Sequence, residues 1–157
     1  MFHLMTLTAA IITNGIMAGL FFAFACAVTP GFRTVDDGTY VSAFRAINRA
    51  ILNGWFLLIF LTAPALAVAS VALHPLDNSD VSVYALLAGA SCSVLTFGIT
   101  VAVNVPLNRE LDRASIRFVQ DSNSARQRFE RRWNRWNLGR TCTSIGALIL
   151  LTASGTL

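Results

Sequence analysis

Lysine is absent from this chain: all twelve basic residues are arginine. Charge of either sign is scarce. Charged residues make up 13% of the 157 and hydrophobic ones 55%, whereas an ordinary soluble domain carries about 25% charged residues. Together with a mean hydropathy of +0.60, that shortage excludes a conventional soluble surface and points to a membrane protein of one domain. Histidine occurs only twice, at His3 and His74. There is no H-x-x-H and no Glu-x-x-His, so a haem or metal inside a helical bundle has no ligand set, and neither a metal nor a cofactor is expected. The three cysteines, Cys26, Cys92 and Cys142, lie in separate apolar runs with no CxxC. They read as small packed residues rather than a disulfide framework. Dinucleotide and P-loop fingerprints are also missing. The acidic deficit leaves a net charge of +4 and a pI near 9.6, which would suit nucleic acid. The arginines, however, sit between runs long enough to cross a bilayer, as cytoplasmic loops do. No nucleic-acid partner is expected; the lipid bilayer is.

A bilayer core takes about 20 mostly apolar residues, and four stretches qualify: about 4–28, 51–73, 81–103 and 138–156. The first has no basic n-region and no A-x-A site, so it reads as a span rather than a signal peptide. No acidic residue falls inside any of the four, which argues against a proton-relay pump. Arginine counts set the direction. Arg33, Arg45 and Arg49 lie between spans one and two, and eight more arginines lie in 104–137, whereas HPLDNSD at 74–80 has none. The arginine-bearing loops are therefore expected in the cytoplasm and both termini outside, in the plasma membrane. The 104–137 stretch is too long for a plain connection. DRASIRFVQD reads as a continuation of span three, and SARQRFERRWNRWN as the start of the last helix with Ser122 or Ser124 as N-cap. A further helix is expected at about 39–50 after DDG. The fold expectation is all-α: an integral membrane four-helix bundle whose third and fourth helices extend into the cytoplasm. Gly15 and Gly19 form a GxxxG that suits close packing within the bundle or pairing of two copies. Pro64 is expected to kink span two, with neighbours satisfying the freed carbonyl.

Polar side chains gather at the cytoplasmic ends of the spans. Asn48, Asn53 and Trp55 precede or open span two, Asn104 and Asn108 close span three, and Trp133, Trp136, Asn137, Arg140 and Thr141 lead into span four. The last set follows i, i+3, i+4, i+7, i+8, one face of a helix. Two readings stay open. Trp and Arg anchor at membrane interfaces and Asn caps or bridges helices, or helices two, three and four converge on a polar site.

These stations spell a pattern. MAGLFFAF at 17–24 with Pro30, AIN at 46–48, FGITVAVNVPLN at 97–108 and WNRWNLGRT at 133–141 together resemble the anthrone oxygenase family of small four-helix membrane proteins. The resemblance implies oxidation of anthrones to anthraquinones by O2 without an evident prosthetic group, an activity of some members. Three positions depart from the family pattern: Leu138 stands where histidine is common, Gly54 replaces a proline and Thr29 a methionine. The missing histidine would have been the natural general base.

The reading that follows is a cofactor-independent oxygenase of a lipophilic phenolic substrate. Arg140, Asn137 and Asn104 are the catalytic candidates and Asn48, Asn108, Trp133 and Trp136 the substrate-binding ones. Arg140 would hold the phenolate or developing negative charge, the four asparagines would hydrogen-bond carbonyl or hydroxyl groups, and the two tryptophans would stack on the ring system. The alternative is a non-catalytic membrane protein that binds a small molecule or serves as an accessory subunit.

Overall fold

The computed structural model describes residues 1–74, 80–116 and 118–156. Among them there is no strand; the order is α1 (Phe2–Ala23), α2 (Thr29–Gly31), α3 (Asp37–Ile51), α4 (Gly54–Ala72), α5 (Asp80–Ile99), α6 (Val105–Arg113) and α7 (Val119–Ser154). HPLDNSD lies almost wholly outside the described residues, so the structure carries no view of that loop.

Two prolines shape the long helices. Pro30 and Pro106 each follow a π-helical turn, at Phe24–Val28 and Thr100–Asn104. In both, the residue just before proline donates five back, Thr29 N–H to the Phe24 carbonyl and Val105 N–H to that of Thr100. Proline has no N–H and its ring crowds the carbonyl four residues earlier, and one wider turn relieves both conflicts without ending the helix. The run from Phe2 to Thr34 is therefore nearly continuous, as is that from Val81 to Arg113. Pro64 has no such turn: α4 stays α-helical through it. Beside it the Asn14 amide donates to the Ala63 carbonyl at 3.3 Å and to Ala10 at 2.9 Å. The neighbouring amide thus serves the carbonyl next to the proline, not that of Phe60, whose donor the proline removes.

Three described helices are long and apolar enough to cross a membrane: Phe2–Thr34, Gly54–Ala72 and Val81–Arg113. Ile12, Ile16, Leu58, Leu61, Val94 and Leu95 point outward from them, as lipid-facing side chains do. The stretch 138–156, expected as the fourth span, is not among the three, because Arg140, Thr141, Thr143 and Ser144 dilute its apolar character. It is the second half of α7, which packs along both α1 and α5, while α4 packs along the same two helices. Polar links run across these contacts: Thr96 and Thr143 hydroxyls lie 2.7 Å apart, and the Ser82 hydroxyl donates to the Ser154 carbonyl at 3.2 Å. At Gly89 α5 comes close to α7; a Cβ there would meet Leu151 backbone N at 3.0 Å.

The arginine-rich end is built differently from the expectation. α6 stops at Arg113 and residues 114–116 are not helical, so DRASIRFVQD does not extend the preceding helix. Arg45 explains the stop: its guanidinium reaches the Leu111 carbonyl at 2.8 Å and that of Ala114 at 2.6 Å, occupying free C-terminal acceptors. α7 starts earlier than expected, at Val119. Asp121 accepts from the Phe118 amide at 3.0 Å, while Ser122 and Ser124, the two expected caps, both lie inside the helix. α3 matches the helix expected after DDG. Asp36 caps it, accepting the Thr39 N–H at 2.9 Å. Its buried face, Tyr40, Val41 and Phe44, joins Leu107, Leu111, Phe129 and Trp133 in an aromatic core. α3 thereby closes one end of the molecule.

Candidate functional site

A cavity of about 260 Å³ lies where α3 turns into α4. Leu52 breaks the helix there, and the Asn53 side chain caps the next one by accepting the Phe56 N–H at 3.0 Å. The walls are aromatic and aliphatic: Leu20, Phe21 and Phe24 from α1 and its π turn, Ile47 and Ile51 from α3, and Phe56, Leu57 and Phe60 from α4. Polar side chains also line it, from Thr100, Asn48, Asn108, Trp133 and Arg140. The Arg49–Asp112 ion pair at 2.9 Å crosses the rim between α3 and α6.

Arg140 is the chemically unusual member. It is 7% exposed, and its Nε donates to Asn137 Oδ1 at 3.0 Å. Its guanidinium carbon lies 4.1 Å from the Phe21 ring centroid and 5.1 Å from that of Trp133. Among the described residues no carboxylate pairs with it. Ring faces attract a cation by roughly 0.5–2 kcal/mol each, well short of the several kcal/mol that burial of an ion costs. Asn137 holds the guanidinium in place: its own amide donates to the Phe21 carbonyl at 3.3 Å, tying α7 to α1.

Trp133 is fixed as firmly. Its indole N–H donates to Asn108 Oδ1 at 2.8 Å, and its ring sits 4.8 Å from Phe44 and 5.6 Å from Phe24, centroid to centroid. Asn48 lines the cavity with an amide nitrogen that is buried and has no partner among the described residues. Asn104 is fully buried, and neither its amide oxygen nor its nitrogen has a described partner. It does not line the cavity, although Thr100 and Asn108, one turn to either side, do. Trp136 and Trp55 are 42% and 79% exposed and lie outside the cavity. Their spacing from Asn137 and Asn48 suggested a shared face. Trp136, however, falls at the edge of the α7 stripe, and the break at Leu52 turns Trp55 away from Asn48.

Position 138 also looks different in three dimensions. Leu138 is 57% exposed and not part of the cavity wall, so the family histidine missing there removes no group from this site. Sequence reasoning missed the aromatic walls. Their signal was present as spacing: Phe21 and Phe24 are three apart, and Phe56 and Phe60 four apart and stacked at 5.5 Å. Each pair reads equally well as lipid-facing apolar residues, which is why only packing distinguishes them. Among the described residues no cluster of three metal-ligating side chains occurs.

The family model described as anthrone oxygenase matches residues 50–150. The chain belongs to the anthrone oxygenase family. The matched segment includes α4 to α6 and most of α7, and so Asn104, Asn108, Trp133, Asn137 and Arg140; Asn48, Phe21 and Phe24, from the preceding helices, lie outside it. No curated protein and no solved structure matches the chain.

Proposed function

We propose that this anthrone oxygenase family member is a membrane-bound, cofactor-independent oxygenase of an anthrone-like or other lipophilic phenolic substrate. The bundle would sit in the plasma membrane with both termini outside. The second half of α7 would complete a four-helix transmembrane unit, and its first half would extend with α6 into the cytoplasm. Arg140 carries the reading: a buried guanidinium facing an aromatic cavity, with no carboxylate paired to it among the described residues, suits an anion brought by the substrate.

An anthrone has an acidic C–H between two rings. The lining carboxylate, Asp112, is paired with Arg49, so the substrate arrives ionised, its proton already lost to water. Arg140, oriented by Asn137, stabilises the phenolate or enolate oxygen, while the rings stack among Phe21, Phe24 and Trp133. The carbanion passes one electron to O2, and the resulting radical and superoxide combine into a C–O bond. Protonation gives a hydroperoxide. Loss of the second C–H proton with cleavage of the O–O bond then leaves the ketone and one water. The balance is one CH2 and one O2 to one C=O and one H2O. Asn48 and Asn108 would hold carbonyl or hydroxyl groups. Trp136 has no part in this arrangement.

The test is quinone formation and O2 uptake by the detergent-purified protein given an anthrone. A rate above the spontaneous one, lost in Arg140→Gln, is expected. No excess rate in the unmodified protein, or full activity in Arg140→Gln, would overturn the proposal. The non-catalytic alternative draws on the bonds that Asn108 and Trp133, and Asn137 and Arg140, make to each other; it predicts ligand binding without O2 consumption.

A further inference from the structure

The end of the molecule remote from the arginines holds the protein's only two histidines. His3 lies in the first turn of α1 and His74 two residues beyond the end of α4. Although 71 positions apart in sequence, their ring centroids are 5.0 Å apart with the planes at 87°. The Nδ1 of His3 is buried and has no hydrogen-bond partner among the described residues. A buried ring nitrogen without a partner is destabilising, so its placement against a second imidazole calls for an account.

We propose that His3 and His74 form a two-imidazole site for a borderline transition-metal dication, Zn2+ or Ni2+ or Cu2+, which clips the start of α1 to the end of α4. The dimensions fit. A metal–nitrogen bond of about 2.0–2.1 Å added to the ring radius puts an ion about 3.2 Å from each centroid, and a near-tetrahedral angle then separates the centroids by about 5 Å. Neutral imidazole selects these ions over Mg2+ and Ca2+, which prefer oxygen ligands. Among the described residues no group of three metal-ligating side chains occurs, and two imidazoles give a site of modest affinity. It is independent of the aromatic cavity, which lies at the other end of α1 and α4, and it stands whatever that cavity does.

Tag-free, detergent-purified protein stripped with a chelator is melted with and without ZnCl2, with MgCl2 as the comparison. Zn2+ is expected to raise the Tm by several degrees and Mg2+ to leave it unchanged. The Zn2+ shift should vanish in both His3→Ala and His74→Ala. A second measurement covers the case in which a variant folds poorly: Cu2+ added to the unmodified protein should give an electron paramagnetic resonance spectrum with coupling to two imidazole nitrogens. Absence of a Zn2+ shift, a shift that persists in both variants, or a Cu2+ spectrum without nitrogen coupling would show an edge-to-face ring contact only and overturn the proposal.

Discussion

Two arginines on α7, fourteen residues apart, are both held over aromatic rings, and their surroundings have nothing else in common. Arg126 donates to Glu130 at 2.8 Å, to Asp37 at 3.0 Å, and to the Val35 and Phe32 carbonyls at 3.0 Å each. Its guanidinium carbon lies 4.4 Å from the Tyr40 ring centroid. Hydrogen bonding to Glu130 raises its pKa further still, and burial, with the charge of Glu130, raises that of Tyr40, so the phenol stays neutral. Arg140 has one amide oxygen, two ring faces and a cavity. A cation whose charge and donors are matched from its own chain locks structure. Arg126 pins the α2–α3 connection and α3 to α7. A buried cation left without an anion costs stability and keeps its binding capacity for a ligand.

The contrast is broken most sharply by removing each charge in turn. Arg140→Gln should lower the quinone-forming rate by about 100-fold or more, as loss of an oxyanion donor does, while the Tm holds or rises because an uncompensated charge has gone; rate and melting are read on the same sample. Arg126→Ala should do the reverse. It strands Asp37 and Glu130, at a cost of about 3 kcal/mol, visible as a lower Tm and as faster hydrogen exchange across α3. Gly89→Ala probes packing outside both arginines. The added methyl meets Leu151 main chain at 3.0 Å, and denaturant melts should show a loss of about 1–3 kcal/mol. Asn108→Ala leaves the Trp133 N–H without its acceptor; a loss of about 1 kcal/mol is expected, with a change in tryptophan fluorescence marking the altered cavity wall.

The smallest effect is a pH response at the start of α3. The Asp36 carboxylate is held below its ordinary value by hydrogen bonds from the Thr39 hydroxyl and amide. A carboxyl lowered by folding contributes stability that is whole above its unfolded value and is lost as pH falls through the folded one. Acid should therefore fray the first turn of α3, seen as amide exchange at Thr39 and Tyr40, and Asp36→Ala should lose that response.

The site was legible in part, for reasons that differ by residue. Trp133, Asn137 and Arg140 were readable because they share one helix, and helical periodicity alone puts them on one stripe. Trp136 obeys the same arithmetic and still faces outward, since a stripe has edges and only the neighbouring helices fix where they fall. Asn104 and Asn108 looked equivalent on either side of Pro106. The π turn that the proline imposes and the packing of α7 bury one and leave the other lining the cavity. Asn48 entered through the corner at Leu52, a tertiary feature.

The sequence by itself determined what depends on composition and local spacing: a helical chain with apolar runs long enough for a bilayer, an arginine-rich end, the capped α3, and membership of the anthrone oxygenase family. These follow from short-range rules of propensity, capping and hydropathy, which need no partner helix. Tertiary structure alone decided which aromatics face inward, that Asp37 reaches Arg126 while no described carboxylate reaches Arg140, and that His3 and His74 meet. Each of those depends on contacts between residues far apart in the chain, and burial converts such contacts into energy.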